Sequence, residues 1–478
     1  MKTAKKLLAA FLAVMAVTAL SATALAAETF RITFADPGFS LLAANDARTY
    51  SVYQIFTGDI DETTGRLSNI KWGQNGTGTV GTAVDQTVLD ALVAVNSKSD
   101  TEKLDEIKKY VNLSSTPVTV SGTTNVTAGY YLFKDNSTLG VGEEYSLYVV
   151  EVTSDVTISP KAGTTTAEKK VQDKNDTTGD TAWGDSADYD IGDTVPFQLS
   201  ATITQYFANY FTYPLTFHDT LATGLTFDSS SVEVYVDDTK IDSSKYTVVT
   251  NPTENCTFEV QFDDLTDIGE VSAGSTIKVT YNATLNDQAV VGSAGNSNTM
   301  YVTYSNDPNG GTSVGQTATD VVKVYTYKVI VNKVDENSTP LDGAGFTLYK
   351  KDNTGTYNQV GTPITTGTTF TFSGLDDGDY KLVESTTPSG YNTVEDIEFT
   401  ISATHSDTAI TTLSATGGAT FTSDMNAGSL TTDVVNKSGS LLPETGGIGT
   451  TIFYVLGAIL VVGAVVLLVT RKRMHDAD

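Results

Sequence analysis

A single cysteine, Cys256, stands in a chain of 478 residues. No internal disulfide can form, so the fold is not stapled in the way many exported proteins are. Histidine is nearly as scarce: His218, His405 and His475 lie far apart, with no metal-ligand spacing among them. GxSxG, HExxH and phosphate-loop patterns are missing. Neither a resident metal nor a cofactor is expected, and an enzyme acting on an external substrate is not the reading. Basic residues are outnumbered, 29 Lys+Arg against 57 Asp+Glu, for a net charge of −28. That excludes nucleic-acid binding, which needs a basic face. It also keeps a long surface-exposed chain soluble.

Long apolar runs sit at the two ends. Lys2, Lys5 and Lys6 precede the apolar stretch 7–20, and Ala24-Leu25-Ala26 supplies small residues for a signal peptidase. This predicts a secretory signal peptide over 1–26, cut after Ala26. At the other end, 448–470 is apolar and long enough to span a bilayer. Arg471, Lys472 and Arg473 follow at once and place that end in the cytoplasm.

The body is rich in Thr, Val, Tyr, Ser and Gly. Short alternating runs such as "FRITFAD", "SLYVVEVTSDVTI", "TIKVTYNATL" and "YKVIVNKVD" recur between Gly, Asn and Asp turns. Such spacing predicts a mainly β protein of tandem immunoglobulin-like β-sandwich domains. Val84, Val88, Leu92 and Val95, then Leu104, Ile107 and Val111, recur at helical spacing and predict one or two helices inside the first domain. The length suits about three domains. Loop-like breaks at "SPKAGTTTAEK" and "SNDPNGGTSVGQTATD" set them at 27–160, 161–325 and 326–438, with 439–478 as stalk, membrane span and basic tail.

The pieces together resemble the LPXTG-anchored shaft (major, backbone) pilins of Gram-positive bacteria, whose domains carry internal Lys–Asn isopeptide bonds. The resemblance rests on "SPK" closing the first domain, then "AEKKVQD", "HDTLATGLTF" and "NSNTMYVTYSNDP" in the second. "VNKVDENSTPLDGAGFTLYK", "GDYKLVESTTPSGY" and "DVVNKSG" make the third similar to a collagen-adhesin B-type domain, and "LPETG" closes the set. Ser159 stands where the family usually has Tyr before Pro-Lys.

The resemblance implies that a sortase cuts within Leu442, Pro443, Glu444, Thr445 and Gly446, holding the Thr445 carbonyl as an acyl-enzyme. An acyl-enzyme needs a nucleophile to release it. In a shaft pilin that nucleophile is a lysine of the next subunit. Lys161 is the candidate acceptor, because Pro160 keeps the chain extended before it and out of a sheet ladder. A monomeric wall-anchored adhesin is the alternative reading, with a cell-wall amine as acceptor. Implied partners are pilus-specific and housekeeping sortases, other copies of the chain, minor pilins and peptidoglycan. Host or bacterial surface ligands stay open.

Two internal bonds are expected. Burial makes a lysine amine neutral and nucleophilic, and a buried carboxyl can donate a proton to the Asn amide. In the third domain the set is Lys333, Asn436 and Glu384. In the middle domain it is Lys169, Asn298 and Asp219. Lys169 shares strand parity with the core residue Val171, whereas Lys170 has the opposite parity. Asn298 is read as opening the last strand, "NTMYVTYS", with Asn306 as alternative. The first domain begins on Arg31, which stays protonated, and no bond is expected there.

Overall fold

The computed structural model describes residues 29–34, 49–95, 97–98, 100–137, 139, 141–145, 147–158, 163–308, 313–439 and 448–475. The signal peptide, Pro160, Lys161 and the sorting motif 442–446 lie outside the described residues. What is described is mainly β, in three successive sheet pairs followed by one long helix.

The first pair joins a three-stranded and a five-stranded sheet. Strand Thr29–Phe34 runs antiparallel to Thr123–Thr127 and parallel to Val156–Ile158. The closing strand is therefore Val156–Ile158, a separate element after Leu147–Val152. The segment 153–155, bent at Thr153 and Ser154, divides what the sequence presents as one run. Two helices, Gln86–Ala94 and Asp100–Lys108, cover the larger sheet. The first buries Leu89 and Leu92, while Val84 is buried in the loop before it and Val88 is half-buried. The buried face thus keeps Val84, Val88 and Leu92 and adds Leu89, while Val95 is half-buried just beyond the helix.

In the second pair a six-stranded sheet faces a seven-stranded one. Strict alternation decides which residues enter the core. Along Thr276–Leu285, Ile277, Val279, Tyr281, Ala283 and Leu285 point inward. Along Asn296–Ser305 the inward set is Asn296, Asn298, Met300, Val302 and Tyr304. Asn298 does not lie on the last strand of this pair. Its strand is followed by Val314–Gln316 and by Asp320–Tyr325, which pairs back onto Asn296–Met300 and closes the sheet against Ser186–Asp188.

One residue, Thr326, separates Asp320–Tyr325 from Tyr327–Asp335, the first strand of the third pair. There a four-stranded sheet packs on a five-stranded one. First strand Tyr327–Asp335 and last strand Ser429–Asn436 are parallel neighbours, with Lys333 opposite Val434 and Asp335 opposite Asn436. The helix Ile448–His475 follows, and its stretch Ile452–Lys472 is long and apolar enough to cross a membrane.

The first and second pairs meet through the loop around Glu143 and Glu144. Gly142 N donates to Gln316 O and Tyr145 N to Asn306 O, at 3.0 and 2.9 Å. The second and third meet around Lys350, whose Nζ reaches Asp176 (2.9 Å) and Asp190 (2.8 Å) across the joint and contacts Asp376 within its own domain.

Candidate functional sites in two sandwich cores

In the second sheet pair, strand Thr166–Lys174 alternates so that Lys169 and Val171 are both fully buried. Lys170 points the other way, is partly exposed, and pairs with Asp185 (2.7 Å) and Glu168 (2.9 Å). Those partners hold its ammonium above the usual lysine range. Parity therefore separates the two lysines, as the i, i+2 rule requires.

Lys169 Nζ contacts Asp219 Oδ2 and lies 3.2 Å from the Tyr281 hydroxyl. Phe197 and Tyr281 face the amine, with ring centroids 5.4 and 5.5 Å away. Phe197 and Tyr281 stack, and Phe258 meets Tyr281 edge-on. In this apolar box both charges are disfavoured: burial pulls Lys169 down against the pull of Asp219, and pushes Asp219 up against Lys169. The pair is driven towards neutral amine and neutral acid.

Asp219 lies on Leu215–Leu221, whose ladder sets Asp219 opposite Met300 and Leu221 opposite Asn298. Asp219 and Asn298 are thus diagonal neighbours on one inward face. Tyr281 links them: its hydroxyl donates to Asp219 Oδ1 (3.2 Å) and accepts from Asn298 Nδ2 (2.6 Å). Asn298 Oδ1 is buried with no hydrogen-bond partner. Asn306 is placed differently. Its amide pairs with Ser313 Oγ (2.8 Å), Ser313 O (3.0 Å) and Gly315 N (3.2 Å), at the start of Val314–Gln316 and away from Lys169.

The third sheet pair repeats the pattern with other elements. Lys333 is fully buried and donates to the carbonyls of Val334 (3.1 Å) and Val434 (2.8 Å). Burial lowers it from the usual lysine range, opposed by Glu384 and Asp335. Glu384 projects inward from Gly378–Thr386 in the facing sheet. It accepts from Asn436 Nδ2 through Oε1 (2.9 Å) and Oε2 (3.2 Å), and from Val394 N (3.0 Å). Asn436 Oδ1 is again buried without a partner. An unmet buried acceptor costs about 1–3 kcal/mol. Both candidate asparagines carry one, on the carbonyl that a nucleophile would attack.

Three family models match the chain. Residues 191–308 match the Gram-positive pilin backbone subunit 2, Cna-B-like domain. Residues 327–416 match a prealbumin-like fold domain, and 434–476 the LPXTG cell wall anchor motif. A Gram-positive pilin backbone domain, a prealbumin-like domain and a cell wall anchor motif thus follow one another along the chain. The Cna-B-like description falls on the middle domain and the prealbumin-like one on the C-terminal domain. With the anchor motif and the apolar helix, this makes it a cell-wall-anchored surface pilin, held in the membrane before anchoring, and a structural protein.

Among solved structures, the T6 backbone pilin of Streptococcus pyogenes serotype M6 is similar at 19% identity and a TM-score of 0.55. The match covers 88% of this chain and 100% of that one. That pilin has a modular three-domain structure, and the likeness is one of fold. The full-length major pilin SpaD of Corynebacterium diphtheriae aligns at 17% identity with a TM-score of 0.49, over 87% of this chain and 98% of that one. No curated protein matches the chain.

The sequence shows no metal-type cluster, yet among the described residues folding assembles three. They are His218, Cys256 and Glu259; Asp173, Asp188 and His405; and Asp176, Asp190, Asp193 and Asp376. The last surrounds Lys350. Burial lowers the Lys350 ammonium and the Asp376 and Asp190 carboxylates more than reverse this, so it stays charged. Lys350 thus differs from Lys169, whose environment favours the free amine.

Proposed function

We propose that the chain is the repeating shaft subunit of a covalent surface pilus, with Thr445 of one copy joined to Lys161 of the next. The observation that carries the reading is the double constellation of buried lysine, carboxyl and asparagine in consecutive domains. A protein pulled along its length gains from covalent ties of this kind.

In each domain the neutral amine of Lys169 or Lys333 attacks Cγ of Asn298 or Asn436. The new bond is Nζ–Cγ, the broken bond is Cγ–Nδ2, and ammonia leaves with the proton given up by the amine. Asp219 and Glu384 stand beside the reacting groups to donate to and retrieve from the amide. Fixed geometry supplies the rest of the rate. At the sorting signal, a sortase thiol takes the Thr445 carbonyl and releases Gly446. The Lys161 amine then resolves the thioester, and the growing polymer ends on a peptidoglycan amine. Pilus-specific and housekeeping sortases and minor pilins are the partners this scheme requires. The domains it assumes are 27–160, 161–325 and 326–438, after a signal peptide 1–26.

The test is a denaturing immunoblot of cell-wall extracts. The unaltered chain gives a ladder of multimers, and Lys161→Ala gives wall-linked monomer only. A ladder unchanged in Lys161→Ala removes that lysine from the scheme. A single wall-linked band from the unaltered chain makes it an anchored monomer instead.

A further inference from the structure

Behind the sheet that carries Asp219, the middle domain gathers a nitrogen, a sulfur and an oxygen at one point. His218 follows Phe217 and precedes Asp219 on Leu215–Leu221, and its ring lies on the outer face of the seven-stranded sheet with Tyr301 and Thr303. The ladder puts it opposite Glu259 on Phe258–Phe262. Cys256 sits just before that strand and is half-buried, while His218 and Glu259 are buried. His218 Nδ1 is 3.0 Å from Glu259 Oε1, and Cys256 Sγ is 3.7 Å from the same oxygen. The three ligand atoms all lie within 4.8 Å of one another.

We propose that His218, Cys256 and Glu259 form a zinc site completed by water. Zinc takes nitrogen at about 2.0–2.1 Å, oxygen at about 2.0–2.2 Å and sulfur at about 2.3 Å, in a tetrahedron. Two such ligands on one ion stand about 3.3–3.5 Å apart for N and O, and about 3.6 Å for S and O. The N–O and S–O distances here differ from those values by a few tenths of an ångström, and Nδ1 and Sγ, within 4.8 Å of each other, would close to about 3.5–3.6 Å on binding.

The far sides of His218 and Glu259 are already held. His218 Nε2 is 2.9 Å from Thr303 Oγ1, which can accept its proton and leave the Nδ1 lone pair for the metal. The ring stacks on Tyr301, with centroids 4.5 Å apart and planes 10° from parallel. Glu259 Oε2 accepts from Gln261 Nε2 at 2.6 Å. The mixed donor set selects the ion: a thiolate with an imidazole suits zinc and not calcium or magnesium. On binding, the Cys256 thiol gives its proton to solvent and no electron is transferred. The half-buried cysteine leaves an open side for entry and for the water. The bound ion ties the segment before Phe258–Phe262 to Leu215–Leu221, directly behind Asp219.

A buried imidazole–carboxylate pair is the competing arrangement, and the sulfur separates the two. The full chain, purified in detergent and stripped with a chelator, is titrated with Co2+ and followed by absorption, then with Zn2+ by calorimetry. One ion per chain is expected, with a thiolate-to-cobalt band that Cys256→Ser abolishes. The same substitution weakens Zn2+ binding at least about tenfold. Zn2+ should also slow alkylation of the unaltered chain, in which Cys256 is the one thiol. This last readout needs no variant to fold. Zn2+ affinity unchanged in Cys256→Ser, or alkylation at the same rate with and without Zn2+, overturns the site.

Discussion

Asn298→Ala removes the amide that the Lys169 amine is proposed to attack and leaves the lysine, Asp219 and Tyr281 in place. Its effect follows from the loop the bond would close, which runs from residue 169 to residue 298. Closing a loop of about 100 residues removes chain entropy worth about 4.7 kcal/mol by the relation used for disulfides. A domain of this size shifts its Tm by roughly 2–4 °C per kcal/mol. The middle-domain transition should therefore fall by roughly 10–20 °C. Truncating an asparagine that is not covalently bound loses one hydrogen bond to Tyr281, about 1 kcal/mol and a few degrees. Intact-mass spectrometry with calorimetry reads both quantities. The unaltered processed chain should be lighter than its sequence mass by two ammonia losses, and Asn298→Ala by one. A wild-type mass equal to the sequence mass refutes the bonds outright. A variant that keeps both losses moves the middle-domain bond to another pair, Asn306 being the first to check.

Glu384→Ala takes away both carboxylate oxygens that hold Asn436 Nδ2 and should restore one ammonia, with the C-terminal domain alone becoming protease-sensitive. Thr445→Ala should leave the protein in the membrane or medium, neither polymerised nor wall-linked, as fractionation would show; normal wall linkage would sink the sortase reading. Burial between the first and middle domains pushes Glu144 up to about 7, against hydrogen bonds from Thr204, Tyr210, Thr165 and Tyr213. A carboxyl raised in the folded state stabilises below its unfolded value near 4.5, and that stability is lost as pH rises through about 7. The joint should therefore loosen by about 3 kcal/mol between pH 4.5 and above 7, seen as faster hydrogen exchange around 142–145, and Glu144→Gln should flatten the profile.

Local pattern made part of this legible and long-range pairing hid the rest. The i, i+2 parity of Lys169 with Val171 needs only the strand period, and the buried face follows it. The alternation that turns Asn298 inward is equally local, but its strand is not the closing one. Asp320–Tyr325 fills that place through pairings with both Asn296–Ser305 and Ser186–Asp188, and no short-range rule reports such a partner. Leu89 shares the buried helix face with Leu92 but falls outside the 84-88-92-95 row, because a buried helix face is wider than one i, i+4 row. His218 and Glu259 are far apart in sequence and meet only through the register of two antiparallel strands. The Lys350 cluster spans two domains, so no pattern within either one shows it.

The position of Asn298 also decides how load passes through the subunit. With both proposed bonds closed, tension entering at Lys161 and leaving at Thr445 travels through Lys169–Asn298 and Lys333–Asn436. Residues 299–332 between them lie outside either covalent loop. Asn298 faces Val322 in an antiparallel ladder. Tension across 298 and 325 would therefore open that pair one rung at a time, the geometry of least resistance. The domain joint supplies a second route. Asp176, Asp190 and Ile191 lie inside the first loop, and Lys350, Gly374 and Asp376 inside the second. Lys350 joins Asp176 to Asp190 and Asp376, and Ile191 N donates to Gly374 O at 3.0 Å. Removing one partner from a buried ion pair costs about 3–5 kcal/mol. The joint therefore carries force from one covalent loop to the other and shields the uncrosslinked segment until the Lys350 cluster parts.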